Sequence, residues 1–92
     1  MLSLDLTGLS EGELAGAVAA RCAPSGKVAA TIIYRAVDAA ARPFALVEMS
    51  TAAEVSRLAA ALGDAILGGA VLIQLEQEVR VPAFLRRAAP HA

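Results

Sequence analysis

The chain has 92 residues and a mass of 9.3 kDa, which fits one small domain because globular domains mostly contain about 100 to 150 residues. Eight Lys and Arg residues against nine Asp and Glu residues give a net charge of −1. This balance excludes the general attraction to phosphate that a basic domain has. Any binding of nucleic acid must therefore depend on a local group of residues.

Composition also limits the kinds of stabilising site. Cys22 and His91 are the only cysteine and histidine, so the sequence offers neither an intramolecular disulfide nor the ligands of a structural zinc site. The apolar stretch 65–73 contains Gly68 and Gly69 and is much shorter than the roughly 18 residues of a membrane-spanning helix. The first residues lack the positive charges of a secretory signal peptide. These features predict a cytoplasmic protein without a cofactor.

The first part of the chain predicts a strand followed by a helix. Leucines alternate with polar residues over 2–7, which is typical of a strand with one apolar face. Ser10 and Glu13 have the spacing of a capping box, so a helix should begin there. The helix should end at 24–26, where Pro, Ser and Gly follow one another. Apolar residues at helical spacing predict its buried face: Leu14, Val18 and Cys22.

Residues 27–49 predict two strands joined by a loop. The segment 27–35 is rich in β-branched and aromatic residues, which favour a strand. The alanines of 36–42 favour a helix, but this segment is short and precedes Pro43, so we predict a hairpin loop. The next strand should be 44–49. Alternation along it places Ala45, Val47 and Met49 on one face and Phe44, Leu46 and Glu48 on the other.

The last part predicts a second helix, a turn and a strand. Ser50 or Thr51 should cap the helix, with Glu54 at the position that returns the bond in a capping box. Residues 64–69 are predicted as a connecting turn and 71–75 as a strand with alternating faces. The apolar stripe of the helix should consist of Val55, Leu58, Ala59 and Leu62.

The resulting order, βαββαβ, predicts an α+β fold. Two βαβ units of similar length favour a ferredoxin-like sandwich, the α/β plait, in which a four-stranded antiparallel sheet carries both helices on one face. The other face of the sheet would stay open. This domain should comprise residues 1–77, followed by a C-terminal tail over 78–92. In the tail, Pro82 suits the first turn of a short helix over 83–89, and residues 88–92 are predicted to be disordered.

The predicted pattern resembles the RNA recognition motif over residues 2–77. The family signature K/R-G-F/Y-G/A-F-V-x-F/Y aligns with 42–49 on the third strand. The matching residues are Arg42, Phe44, Ala45 and Val47, and the departures are Pro43, Leu46 and Met49. The companion motif of the first strand resembles 4–9, where Asp5 occupies the position of the family's stacking aromatic residue.

The resemblance implies binding of single-stranded RNA on the open face of the sheet. In this family, bases stack on aromatic side chains of the sheet. Asp5 and Leu46 occupy two of the three aromatic positions, so stacking worth about 1 to 3 kcal/mol for each base is missing and RNA binding should be weak. The candidate RNA-binding residues are Phe44, Arg42, Leu46, Tyr34, Arg35 and Lys27.

A second interpretation is a protein-interaction or self-association module with little affinity for RNA. Phe44, Leu46 and Leu72 would form an apolar patch, and such patches usually mark a partner surface or are covered within the chain. Phe84 and Leu85 of the tail could provide that cover. Asp5 and Glu48 are carboxylates predicted on this face, but no nucleophile or enclosed pocket accompanies them. The sequence therefore does not predict an enzyme.

Overall fold

The computed structural model describes residues 1–35 and 42–78. The predicted hairpin loop, apart from Arg42, and the predicted tail after residue 78 lie outside the described residues. The described elements are β1 (Leu2–Leu4), α1 (Glu11–Cys22), a 3-10 turn (Ala23–Ser25), β2 (Val28–Tyr34), β3 (Phe44–Met49), α2 (Ala52–Ala61), β4 (Ala65–Leu67) and β5 (Ala70–Gln77). The α+β class predicted from the sequence is confirmed.

The start of α1 is the predicted capping box. The Ser10 hydroxyl accepts a hydrogen bond from the Glu13 N–H at 3.1 Å, and the Glu13 carboxylate accepts one from the Ser10 N–H at 3.1 Å. These bonds lower the pKa of Glu13, since they stabilise its charged form. The predicted apolar face, Leu14, Val18 and Cys22, is fully buried. Burial in turn raises the pKa of the Cys22 thiol.

The start of α2 uses a different bond from the one predicted. Thr51 is the cap, and its hydroxyl accepts from the Glu54 N–H at 3.2 Å. The Glu54 carboxylate accepts from the backbone N–H of Lys27 and from the Thr51 hydroxyl, where a capping box would bond its own cap N–H. Glu54 therefore ties the start of α2 to the residue that precedes β2.

The strands form a mixed sheet in the order β1-β5-β3-β2, with β4 also paired to β5. β1 runs parallel to β5, and the other described pairs are antiparallel. The structure therefore differs from the four-stranded antiparallel sheet of the ferredoxin-like prediction. β5 lies between β1 and β3.

The difference in topology originates at residues 64–69, which the sequence predicted as a simple turn. Residues 65–67 form β4, and Gly68 and Gly69 connect it to β5 with positive φ angles of 57° and 85°. Positive φ at both central residues is the requirement of the tight hairpin turn that glycine favours. The hairpin reverses the chain once more before β5, so β5 runs antiparallel to β3.

The core lies between one face of the sheet and the two helices. The inward residues of β3, which are Ala45, Val47 and Met49, are buried as predicted. Leu58 of α2 and the buried face of α1 belong to the same apolar cluster. Both helices therefore cover the same side of the sheet. The cluster is completed by residues of β1 and β5: Leu2, Leu4, Val71, Ile73 and Leu75.

Gly26 is required by the contact between Glu54 and the start of β2. Its φ is 145°, and a Cβ atom built on it would collide with the Glu54 side chain.

Gly26→Ala is expected to lower the free energy of unfolding by about 1 to 3 kcal/mol, because alanine is strained at this φ. Gly16→Ala is the matched control: Gly16 lies within α1 with nothing near its Cβ position, so this change should stabilise by about 0.5 to 1 kcal/mol. Urea unfolding would measure both effects, and a harmless Gly26→Ala would contradict the backbone conformation and close packing assigned to Gly26.

Glu54 should also make stability depend on pH. Its pKa is lowered below the ordinary 4.5, first by the Lys27 N–H and then by the Thr51 hydroxyl. The stabilisation is therefore complete above the ordinary pKa and is lost as the pH falls through the lower folded value. Glu54→Gln should destabilise the protein at neutral pH, and the difference from the parent should shrink in acid.

Unfolding in urea at neutral and acidic pH would measure the effect of Glu54→Gln. Glu11→Gln is the control, since Glu11 is an exposed glutamate in the first turn of α1, away from the open face. A difference between the Glu54 variant and its parent that stayed constant across this pH range would show that the carboxylate charge is not what stabilises the contact.

Candidate functional site

The face of the sheet opposite the helices carries side chains from three neighbouring strands. The paired residues form rows across β2, β3 and β5. The rows are Tyr34–Phe44–Gln74, Ile32–Leu46–Leu72 and Ala30–Glu48–Ala70. We call the surface formed by these rows the open face.

The open face is largely apolar. The Ile32 and Tyr34 side chains are 47% and 43% exposed, and Phe44, Leu46 and Leu72 are half-buried. In β4, Leu67 pairs with Ala70 and is 52% exposed, so it extends this surface beyond β5. A contiguous apolar surface of this kind is unusual for residues that only contact water.

Tyr34 and Phe44 form an aromatic pair at one end of the open face. Their ring centroids are 4.8 Å apart and their planes differ by 16°. This separation equals the spacing of adjacent strands, about 4.7 to 4.9 Å, so the rings stand side by side above β2 and β3. Each ring has one face against the other, which stabilises the pair by about 0.5 to 1.5 kcal/mol. Tyr34 lies on β2 at the end of the strand order and is 43% exposed, so a ligand can reach this member of the pair.

Two of the three predicted cations, Arg35 and Lys27, lie away from this face. Arg35 donates from Nη2 to the Leu9 carbonyl oxygen at 2.8 Å, and Leu9 packs against the core on the helix side. Arg42 Nη1 lies 3.5 Å from the Met1 sulfur. Lys27 precedes the far end of β2, about 20 Å from Tyr34 at the usual rise of a strand.

The candidate residues therefore separate into two groups. Tyr34, Phe44 and Leu46 lie together on the open face, as the resemblance implies. Arg42 adjoins Phe44 in the chain, whereas the Arg35 side chain bonds the Leu9 carbonyl oxygen and Lys27 lies before the far end of β2. The structure brings the apolar members of the predicted site together, with Arg42 as the one predicted cation that adjoins them.

Asp5 also lies away from its expected position beside Phe44. It follows β1, and its Oδ1 accepts bonds from the Thr7 N–H and hydroxyl at 3.2 and 2.7 Å and from Gln77 Nε2 at 3.2 Å. Because β5 separates β1 from β3, an aromatic residue at position 5 would not extend the Tyr34–Phe44 pair.

The charge on the open face is negative. Glu48 is exposed between Ala30 and Ala70. Glu76 lies further along the same side of β5, where it accepts a bond from the Ser3 hydroxyl at 3.0 Å. Among the paired strand residues that the structure describes on this face, there is no Lys or Arg. The face therefore combines apolar side chains with carboxylates.

Sequence reasoning missed Ile32 as a residue of the face. Ile32 and Ile33 are adjacent and equally apolar, so composition does not indicate which points outward. The pairing register shifts between Val28 and Ala30, and alternation counted from Val28 would therefore be out of step. The face of Ile32 could have been assigned by pairing Tyr34 with Phe44 across the hairpin. Ile32 is two residues from Tyr34 and therefore lies on the same face as Tyr34 and Phe44.

Comparisons with protein-family models, curated proteins and solved structures give no match. Within residues 1–35 and 42–78, no helix is long and apolar enough to cross a membrane. The same residues contain no group of three His, Cys, Asp or Glu side chains placed to hold a metal ion.

Two isoleucines test the assignment of the faces. Ile73 is fully buried, while Ile32 on the open face is 47% exposed. Ile73→Ala should cost about 2 to 5 kcal/mol because it leaves a cavity in the core, and Ile32→Ala should cost less than about 1 kcal/mol because it alters a surface. Urea unfolding of the two variants would measure this contrast. Equal losses would contradict the assignment of Ile32 to an open face.

Proposed function

We propose that this protein is a small binding module whose open face takes an apolar protein segment that carries positive charge. The observation that supports this most directly is the combination of exposed apolar side chains with carboxylates at the paired strand positions of the face. The function is one of binding without catalysis, and we place it in the cytoplasm, where the single buried thiol of Cys22 would stay reduced.

The apolar part of the face would provide most of the affinity. Burial of apolar surface contributes about 25 cal/mol for each Å² removed from water. Ile32 and Tyr34 still have nearly half of their surface to bury. Aromatic residues are also enriched among the few that dominate binding energy at protein interfaces. Tyr34 and Phe44 are therefore the expected centre of the contact.

The carboxylates would select the partner. A ligand that covered Glu48 without pairing it would pay the cost of desolvating an unpaired charge. An arginine or lysine on the ligand would remove that cost, and arginine can make two parallel bonds to a carboxylate. The partner should therefore combine large apolar residues with cations.

Single-stranded RNA is the second candidate ligand. It is supported by the resemblance of 42–49 to the RNA recognition motif and by the aromatic pair next to Arg42. A base could stack on an outer ring face, and Arg42 could contact a phosphate. Glu48 and Glu76 would repel the same backbone, so binding by this route should be weak and sensitive to salt. The charge of the face is our reason to rank the protein ligand first.

Titrations monitored by NMR would compare the two ligands. The probes are a synthetic peptide of Arg, Phe and Leu, the same peptide with Glu in place of Arg, and short random-sequence single-stranded RNA. The Arg peptide should shift the signals of Ile32, Leu46 and Leu72, and its affinity should fall only severalfold in high salt because apolar contacts are not screened. The Glu peptide should bind much more weakly.

Glu48→Lys is the matched variant for both candidates. It reverses one exposed charge on the face, and it should weaken the Arg peptide and strengthen any binding of RNA. Equal binding of the Arg and Glu peptides, or no shift at Ile32, would contradict the proposed function. Absence of any RNA-induced shift near Phe44 and Arg42 at low salt would rule out the second candidate.

A further inference from the structure

The charge of the open face makes a second copy of the same face a poor occupant. Two such faces packed together would bury Glu48 and Glu76 from both copies. Among the described residues, the paired strand positions of the face hold no Lys or Arg, and Arg42 is the single cation that adjoins Phe44, so carboxylates outnumber cations in each copy. Burial of unpaired carboxylates opposes such a contact, so the better occupant is a segment of opposite charge.

The segment 79–92 of this chain has the complementary composition. Three of the eight Lys and Arg residues and none of the nine Asp and Glu residues lie in it. The net charge of −1 thus divides into +3 for this segment and −4 for residues 1–78. Its cations and large apolar residues are interspersed: Val79, Arg80, Val81, Phe84, Leu85, Arg86 and Arg87.

β5 ends beyond the aromatic end of the open face, and Glu78, the last described residue, precedes this segment. Gln74 pairs with Phe44, and β5 continues from there to Gln77. The Glu78 N–H then donates to the Leu4 carbonyl oxygen at 2.8 Å. From Glu78 back to Phe44 is about 13 Å along the strand. An extended chain spans at most about 20 Å from residue 78 to residue 84, so Phe84 is within reach of the aromatic pair.

We propose that residues 79–92 dock on the open face of their own sheet, with Phe84 against the Tyr34–Phe44 pair and the arginines beside Glu48 and Glu76. This inference rests on the proposed function, because the docked segment occupies the surface that an external ligand would use. The segment is an intramolecular competitor, and a short linker gives such a competitor an effective concentration in the millimolar range. A face covered nine-tenths of the time would bind its ligand about tenfold more weakly.

Tyr34 provides a direct readout of the docked state. It is the only tyrosine, and the chain contains no tryptophan, so intrinsic fluorescence comes from the open face. In the full-length protein, the double variant Phe84→Ala, Leu85→Ala should become severalfold more accessible to quenching by acrylamide. Pro90→Ala, near the end of the same segment, is the control and should leave quenching unchanged. Glu48→Lys, a change on the sheet, should also increase the quenching of Tyr34. The new lysine would repel the arginines of the segment, which Glu48 attracts.

Two results would overturn the intramolecular docking. One is equal quenching of Tyr34 in the parent and the double variant. The other is protection that disappears on dilution, which would place the segment on a second copy. Titrating the Arg, Phe and Leu peptide into the double variant separates this inference from the proposed function. If the double variant binds the peptide about tenfold more tightly than the parent does, both proposals are supported. Equal affinity would overturn the docking alone. No binding of the peptide to the exposed face would overturn the proposed function.

Discussion

The alternation of side chains along β3 is the constraint on which the rest of the structure depends. β3 lies between β2 and β5, so its inward residues contact both helices and its outward residues form the middle of the open face. A shift of register by one residue would exchange the two faces. It would place Glu48 against Leu58 and the helices, where an unpaired carboxylate is strongly disfavoured. The charge at position 48 therefore helps to specify which face is covered.

Local patterns in the sequence predicted most of the elements because each depends on residues close together in the chain. The Ser10 and Glu13 cap, the buried stripe of α1 and the bounds of β3 are of this kind. The order of strands was not accessible in the same way, because it depends on pairing between distant residues. The decisive residues were Gly68 and Gly69, whose two positive φ angles convert a connection into a hairpin and reverse the direction of β5. A pair of glycines between apolar residues is compatible with either outcome.

The candidate site shows the same division between local and long-range information. Phe44 and Leu46 were placed on the open face by alternation alone. The positions of Arg35 and Arg42 depended on where long side chains find partners, and a bond to the Leu9 carbonyl oxygen has no signature in the sequence around Arg35. The resemblance to the RNA recognition motif implied three cations beside the aromatic residues, whereas the structure leaves Arg42 next to Phe44 and directs Arg35 to the Leu9 carbonyl oxygen. Glu48 lies on the face as alternation predicted, and this balance of charge is why the two proposed ligands differ in charge.

Stability alone does not account for the apolar character of the open face. A domain of this size buries only about 60% of the surface of its unfolded chain, and native proteins are stable by only about 5 to 15 kcal/mol. Polar side chains at positions 32 and 46 would keep the sheet intact and improve solubility, since these positions lie outside the core. Ile32 and Leu46 instead extend the aromatic pair into one surface that crosses three strands. The proposed contact would remove this surface from water, and the carboxylates at its margin are the reason that we propose a positively charged partner.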